Sequence, residues 1–372
     1  MRAAVLHHFG EPLAEADVEL AEPAPDEVLV RVTDSGICHS DRTVHLGAQD
    51  RPLPLILGHE ASGVVEQVGS QVTGLAPGDH VVGCSSAHCG QCLWCARGLP
   101  QHCSDKGQAR ADGSARLCLD GRDVHAFVGL GGFADHMLVS ARALARIPPQ
   151  MPLDKAALLG CAVLTGMGAV LHRASVRAGQ TVAVIGCGGV GLNAVQGARL
   201  AGAGRIFAVD LNPAKLERAR AFGATDTIDA SRQDSADAVR QLSGGGVDHA
   251  LEVVGSGPTI EQAFKMTGVR GTTTVVGVPH PAATVTLPAH VFMAAEKKIQ
   301  GSRMGSANFR ADIPLYCELY LRGQLLLDEL ISEIIDLSDV NRGLEALDGS
   351  DGARSVIHFE HAGGDGNRHS GQ

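Results

Sequence analysis

The stretch Thr181-Val-Ala-Val-Ile-Gly-Cys-Gly-Gly-Val-Gly191 decides the fold. Its first five residues form a β-rich apolar run of the kind found in a buried strand, and residues 192–200 continue as a helix. Gly186-x-Gly188-x-x-Gly191 therefore sits on a strand-to-helix turn. There the first glycine makes the turn, the second lets the backbone approach a pyrophosphate, and the third lets helix and strand pack closely. The helix N-terminus meanwhile offers unpaired N–H groups to the phosphates. Asp210 ends the next expected strand, nineteen residues beyond Gly191. An acid at that point accepts hydrogen bonds from the adenosine ribose and repels a 2′-phosphate, so the expected cofactor is NAD rather than NADP. Gly186, Gly188, Gly189, Gly191 and Asp210 are its expected contacts; Lys215 suits a ribose contact and a solvated helix surface equally well.

Working outward, strands at 181–185, 205–209, 226–228, 249–254, 273–276 and 298–301 alternate with helical patterns, which means βαβ units and a doubly wound parallel sheet of the α/β class. Upstream, short apolar runs at 3–6, 28–32, 63–68, 81–83 and 134–139 are broken by Gly, Pro and Asp, the texture of a β-rich, barrel-like domain. Past residue 302 the pattern turns mixed, as if the chain returned to the first domain. The expected division is 1–160, 161–301 and 302–360, followed by a disordered tail at 361–372 that contains no core-forming residue and leaves its histidines solvated.

The 372 residues suffice for two or three domains. With 44% hydrophobic and 19% charged residues, and no long uncharged apolar stretch, neither a disordered nor a membrane-spanning chain fits. The net charge of −10, with basic residues scattered, argues against nucleic acid and anionic membranes as partners. The start lacks the features of a signal peptide, so the expected location is the cytoplasm.

Of ten cysteines, four fall in Cys89-Gly-Gln-Cys-Leu-Trp-Cys-Ala-Arg-Gly-Leu-Pro-Gln-His-Cys103. Two-residue spacers let Cys89, Cys92 and Cys95 converge, and Cys103 completes a closed thiolate shell for a structural zinc in a lobe at 84–105. Such a shell has no position for substrate. His88 and His102 abut the lobe as bystanders. A second set, Cys38, His59 and Cys161, supplies the three ligands that leave a catalytic zinc one open position. Taken singly, each of these three also reads as an ordinary core Cys or a hydrogen-bonded His.

The run Gly58-His-Glu-Ala-Ser-Gly-Val-Val-Glu-Gln-Val-Gly69 resembles the signature of the zinc-containing medium-chain dehydrogenases. The likeness extends over about 3–360 and includes the cysteine lobe, the glycine loop and Gly301-Ser-Arg-Met-Gly-Ser306. Leu158-Leu-Gly-Cys-Ala-Val-Leu-Thr-Gly166 and Asp112-Gly-Ser-Ala-Arg116 resemble the alcohol dehydrogenase branch that includes the glutathione-dependent formaldehyde dehydrogenases and their actinobacterial relatives. The resemblance implies a GroES-like catalytic domain beside a Rossmann domain, two zinc ions per chain, and NAD held against the catalytic one. It further implies that Glu60 lies beneath that metal as an alternating ligand or a supporting group, and that Asp41 orients His59, although Asp41 also suits a plain turn cap. His39 and Arg354 would meet the pyrophosphate, Thr165 and Val190 would line the nicotinamide, and Ser40 would pass the alcohol proton to the cofactor ribose.

The sequence departs from the family pattern at two places. Where several relatives carry the next proton carrier as a histidine stands Thr43; His45 could replace it if its loop turned inward, and is otherwise solvent-exposed. A wall position that is often aromatic is Ser85, while Phe127 keeps an apolar surface, so the pocket should have room beyond ethanol. Arg110 is the candidate for holding a glutathione carboxylate. The expected function is NAD-dependent oxidation of medium-sized primary alcohols or reduction of aldehydes, by a homodimer or homotetramer. Oxidation of an S-hydroxymethyl thiol adduct is the alternative. A non-catalytic dinucleotide sensor would need only the structural zinc, and the Cys38, His59, Cys161 set argues against it.

Overall fold

The computed structural model describes residues 1–347, 349 and 354–361. Six strands, Thr181–Ile185, Arg205–Asp210, Asp226–Asp229, Val247–Glu252, Thr267–Val275 and Lys298–Gly301, pair in parallel throughout. Counted along the chain, their order across the sheet is 3-2-1-4-5-6. The order reverses between Thr181–Ile185 and Val247–Glu252, and at such a switch point the connections leave in opposite directions and open a crevice at the carboxyl ends of the strands.

Local chemistry sets the helix boundaries. Asn212, Asp234 and Ser256 each accept a backbone N–H at the start of Pro213–Phe222, Ser235–Ser243 and Gly257–Met266. Gly223 and Gly244 end the first two of these helices with φ of +114° and +74°. The strand expected at 249–254 stops at Glu252, whose buried carboxylate accepts the N–H groups of Val254 and Gly255 at 2.8 and 2.7 Å and turns the chain outward. The strand expected at 273–276 begins earlier, at Thr267, and passes through an irregularity where Arg270 has φ +59°.

Among the described residues, strands of the N-terminal half, with two from the C-terminal segment, form two further sheets, of six and seven strands. In the larger, Glu27–Gly36 is the axis. Glu60–Val68 pairs along one side of it, while His136–Ser140 and Arg354–His358 share the other. The segment after 302 divides between two partners. The helix Phe309–Leu321 buries Phe309, Ile313, Tyr316 and Cys317 in the core that contains Val182 and Leu192, whereas Ile331–Ile335 and Arg354–His358 join the seven-stranded sheet.

Of the tail expected at 361–372, residues 362–372 lie outside the described residues. His361, expected to be solvated, instead hydrogen-bonds through Nε2 to the Val32 carbonyl at 2.7 Å. Among the described residues no single helix is long and apolar enough to cross a membrane; the bent apolar pair Leu153–Gly160 and Ala162–Ala174 lies mostly in the core.

Candidate active site

Sheet register assembles the first part of the site. Gly36 pairs with both Glu60 and Val356, so three chain segments end side by side at one edge of the seven-stranded sheet. Two residues past Gly36 stands Cys38, one before Glu60 stands His59, and two before Val356 stands Arg354. Cys161 arrives from the other direction, at the break between the short helical turn Ala157–Gly160 and the helix Ala162–Gly168. That approach requires Gly160, because a Cβ there would lie 2.2 Å from the Gly83 carbonyl oxygen.

The sulfurs of Cys38 and Cys161, a ring nitrogen of His59 and a carboxylate oxygen of Glu60 all lie within 4.8 Å of one another, and all four residues are buried. Asp41 orients the histidine. One of its oxygens accepts from His59 Nδ1 and Gly58 N at 3.0 Å, and the other accepts from Cys38 N at 3.0 Å. His59 Nε2 is left buried with no hydrogen-bond partner, an arrangement that costs free energy unless the nitrogen ligates something. An unpartnered imidazole nitrogen beside two thiols is a zinc donor set with room for one more ligand.

The electrostatics agree with that reading. The hydrogen bond from Cys161 holds the Cys38 thiol well below its usual range against the cost of burial, with help from Arg354 and His59. Burial works to lower the His59 pKa, yet the charge of Asp41 and its hydrogen bond raise it. Burial pushes Glu60 up to about 7 although Arg354 Nε lies 3.5 Å from its carboxylate.

The four lobe cysteines also converge. Cys92 and Cys95, Cys92 and Cys103, and Cys89 and Cys103 have sulfurs 3.5, 3.7 and 3.5 Å apart. A disulfide would need about 2.05 Å, while zinc–sulfur bonds of about 2.3 Å in a tetrahedron set the sulfurs about 3.8 Å apart. Backbone N–H groups of Cys95 and Ser104 pull the Cys92 thiol down to about 5, toward the thiolate that a metal binds. His88 packs edge-on against Phe309 and His102 lies tilted against Trp94, and neither joins the four sulfurs.

A cleft of about 1900 Å³ joins the first cluster to the switch-point crevice. Gly186 there has φ +93°. A Cβ on Gly191 would lie 1.8 Å from the Gly186 carbonyl oxygen, whereas one on Gly188 would meet nothing within 4 Å, the open approach that a pyrophosphate needs. Asp210 faces the cleft with its carboxylate fixed by Cys187 N at 2.8 Å and Asn212 N at 2.9 Å; Val190 and Lys215 line the cleft nearby. Leu211, the next residue, is exposed and offers no cation to a 2′-phosphate. Arg354 reaches both halves: Nη2 donates to the Cys38 sulfur at 3.4 Å, and its guanidinium packs against Gly189 at the helix start.

His39, Ser40, Thr43 and Thr165 line the same cleft, and the Thr43 hydroxyl donates to the His39 carbonyl at 2.8 Å. His45 does not join them, which corrects its expected place as a proton carrier and equally its expected exposure. It is the buried last residue of the helix His39–His45, with Nε2 2.8 Å from the Glu11 carbonyl and Nδ1 3.0 Å from Arg42 Nη1, so both ring nitrogens are engaged away from the cleft. Arg110 is likewise committed, since it and Arg116 grip the buried carboxylate of Glu27 at 2.6 Å each.

Met304 lies in the Gly301–Ser306 motif, and its place in the site was not legible in the sequence. With φ +48°, Met304 places its sulfur 3.8 Å from Ser85 Oγ and 3.9 Å from Thr165 Oγ1, in the cleft wall. The Gly305 that follows it, packed against the Leu164 carbonyl and Gly168, is the signal that could have pointed there.

Comparison with known proteins agrees with this geometry. Residues 24–149 match the family described as alcohol dehydrogenase GroES-like domain, and residues 189–319 match the family described as zinc-binding dehydrogenase. The chain is 35% identical to an S-(hydroxymethyl)glutathione dehydrogenase of Synechocystis over 96% of its own length and 99% of the relative's. It is also 35% identical to alcohol dehydrogenase 2 of Zea mays, over 96% and 97%. The crystal structure of benzyl alcohol dehydrogenase from Acinetobacter calcoaceticus superimposes with a TM-score of 0.92 at 31% identity, covering 96% of this chain and 99% of that one.

Proposed function

The chain belongs to the zinc-binding alcohol dehydrogenase family, with its GroES-like and nucleotide-binding parts, and we propose that within that family it uses NAD to oxidise medium-sized primary alcohols and to reduce the corresponding aldehydes. The observation that carries this reading is the convergence of Cys38, His59 and Cys161 on a cleft that also contains Gly186, Gly188 and Gly191. In the same reading residues 1–160 and 302–360 form the catalytic domain, with a structural zinc on Cys89, Cys92, Cys95 and Cys103, and 161–301 form the nucleotide-binding domain.

A catalytic zinc held by Cys38, His59 and Cys161 supplies a Lewis acid that makes an alcohol hydroxyl more acidic, and the dinucleotide supplies the hydride acceptor. The residues of the chain do the rest. Asp41 locks the imidazole of His59 in one tautomer and one orientation. Glu60, partnered by Arg354, stands close enough to the donors to enter or leave the set. Ser40 lines the cleft beside Cys38 and takes the alcohol proton. Thr43, which lines the cleft three residues past Ser40, or a water beside it, carries the proton outward, since His45 is turned away. Arg354 and His39 hold the pyrophosphate, Thr165 and Val190 bound the nicotinamide, and Asp210 binds the ribose hydroxyls, with Lys215 close by.

Phe127 gives the substrate an apolar surface edge-on to His59, with ring centroids 5.5 Å apart. The small side chain of Ser85 leaves space where a larger one would block a longer alcohol. The test is zinc content together with NAD reduction against an alcohol panel, with and without low-molecular-weight thiols. Two zinc ions per chain and thiol-independent turnover are expected; strict dependence on a thiol would instead select S-hydroxymethyl adduct oxidation. We further assign the enzyme to the cytoplasm as a homodimer or homotetramer.

A further inference from the structure

We propose that Glu27 is a positioning residue for substrate selectivity: by gripping Arg110 and Arg116, its buried carboxylate holds the segment 104–116 as a wall of the substrate cleft, and the preference for longer over shorter primary alcohols depends on that grip. The proposal rests on the alcohol dehydrogenase reading above and deepens it.

The first observation is what the segment lacks. Residues 104–116 form neither helix nor strand, and none of them is buried, so no apolar anchor ties them to a core. Such a stretch keeps one conformation only through its polar contacts. The ion pair of Asp105 with Arg142 ties its start and is largely exposed. The bonds that fold the remainder back on the chain centre on one group. Arg110 Nε donates to both Glu27 oxygens at 3.0 and 3.1 Å and its Nη2 donates to Oε2 at 2.6 Å, while Arg116 Nε donates to Oε1 at 2.6 Å. The same guanidinium groups also hold backbone. Arg116 donates to the carbonyls of Gln108 and Gly107 at 2.6 and 2.9 Å, and Arg110 donates to the Glu22 carbonyl at 2.8 Å. The Glu27 side chain is fully buried, and charge-assisted bonds to such a carboxylate are about twice as strong as neutral ones. Removing that charge leaves both guanidinium groups without their acceptor, and the segment loses its fixed point.

The second observation is place. Glu27 itself does not line the cleft, whereas Gln108, Ala109, Ser114 and Ala115 do. The near end of the segment meets both residues already identified as pocket walls. Lys106 donates to the carbonyl of Ala87, two residues past Ser85, at 3.4 Å, and Gln108 Nε2 donates to the carbonyl of Val128, next to Phe127, at 3.0 Å. Gly129 makes room for that second contact, since a Cβ on it would lie 3.0 Å from Gln108 Cγ. The segment therefore spans from the Ser85 side of the pocket to the Phe127 side, and Arg116 holds its backbone at 107 and 108, where the span begins. An alkyl chain that extends past Phe127 is buried against this wall only while the wall stays in place. Full burial of a methylene is worth about fourfold in kcat/KM.

The test compares ethanol, n-butanol and n-octanol with the zinc-loaded enzyme and NAD, in the parent, Glu27→Gln and Arg110→Ala, at a temperature where each is folded. In the parent, kcat/KM for n-octanol should exceed that for ethanol by about tenfold or more. Each variant should cut this ratio by about tenfold, mostly through KM for n-octanol, with KM for NAD and zinc content unmoved. Arg110→Lys, which keeps the charge and loses the fork, should fall between the parent and Arg110→Ala. Trypsin gives a readout independent of turnover. Glu27→Gln retains both arginines but releases them, so cleavage after Arg110 or Arg116 should be faster than in the parent. Arg110→Ala, which leaves Arg116 on Glu27, carries the kinetic test should Glu27→Gln not fold.

A ratio that the variants leave unmoved would overturn the proposal, whether or not trypsin cuts faster. An equal fall in kcat with every alcohol would reduce Glu27 to a structural role and overturn it too. A ratio that falls without faster cleavage in Glu27→Gln, or only with loss of the lobe zinc, would place the effect outside the segment. Should no alcohol reduce NAD, the dehydrogenase reading fails. Calorimetric binding of n-octanol, weaker in Arg110→Ala than in the parent if the segment walls the cleft and equal in both if it does not, then decides the role of the grip separately.

Discussion

Asp41 accepts a hydrogen bond from His59 Nδ1 at 3.0 Å and, through the same carboxylate, ties down the backbone N–H groups of Cys38 and Gly58. One buried side chain thus fixes the imidazole of one proposed ligand and the backbone at both. Asp41→Asn should keep the fold and lower turnover or metal affinity about 10–100-fold. Zinc content measured beside kcat/KM checks it: loss of roughly one zinc per chain, with the lobe zinc retained, is the expected pattern. Unchanged affinity and rate would reduce Asp41 to a turn cap.

Cys92→Ser should act on stability rather than on the reaction centre. Removing one thiolate opens the lobe cluster, and structural zinc contributes directly to folding. A lowered melting temperature and the loss of one zinc per chain are expected. Full zinc content with an unchanged melting curve would show that the lobe holds no metal.

Asp210→Gly should weaken NAD and improve NADP relative to it. The change removes ribose hydrogen bonds worth about 1.5–3 kcal/mol each and a negative charge that opposes a 2′-phosphate. It also frees Cys187 N and Asn212 N, so a modest loss of stability should accompany it. Initial rates with both cofactors decide; unaltered discrimination would mean that Asp210 does not read the ribose.

Ser40→Ala should cut alcohol oxidation about 10²–10⁴-fold, the usual contribution of a positioned proton carrier. His45→Ala should behave differently. With both ring nitrogens bonded to Glu11 and Arg42, its loss should lower the melting temperature yet leave the pH profile of oxidation in place. A shifted profile that added imidazole restores would return His45 to the proton path.

Acid stability should depend on Glu27. Burial alone would raise its pKa, but hydrogen bonds from Arg110, Ala24 N and Arg116 outweigh burial and hold it at about 2, below its ordinary 4.5. A carboxylate with a depressed folded-state pKa stabilises the fold fully above its unfolded value. That contribution, of order 3 kcal/mol, is lost as pH falls from about 4.5 toward 2. Glu27→Gln should therefore be less stable than the parent at neutral pH and should show a flatter decline in this acid range, followed by thermal melting across it. Parallel curves would show that the arginine pair is not coupled to folding.

Several features were legible in the sequence because their determinants are local. The glycine spacing at 186–191, the alternation of strands and helices, and the lobe spacing from Cys89 to Cys103 each reflect contacts between residues close in the chain, which leave a repeating or fixed interval in the sequence. The acid at position 210 belongs to the same class, since strand length fixes its distance from the glycine loop.

Tertiary structure decided the rest. Cys38, His59 and Arg354 meet because Gly36 pairs with both Glu60 and Val356, and strand register across hundreds of residues leaves no periodic mark in the sequence. The orientation of His45 depends on a carbonyl at residue 11, and the commitment of Arg110 depends on a carboxylate at residue 27. Sequence alone determined which side chains were available for metal and dinucleotide chemistry. Packing determined which of them face the cleft, because a side chain's direction is set by the partners that fold against it and not by its neighbours in the chain.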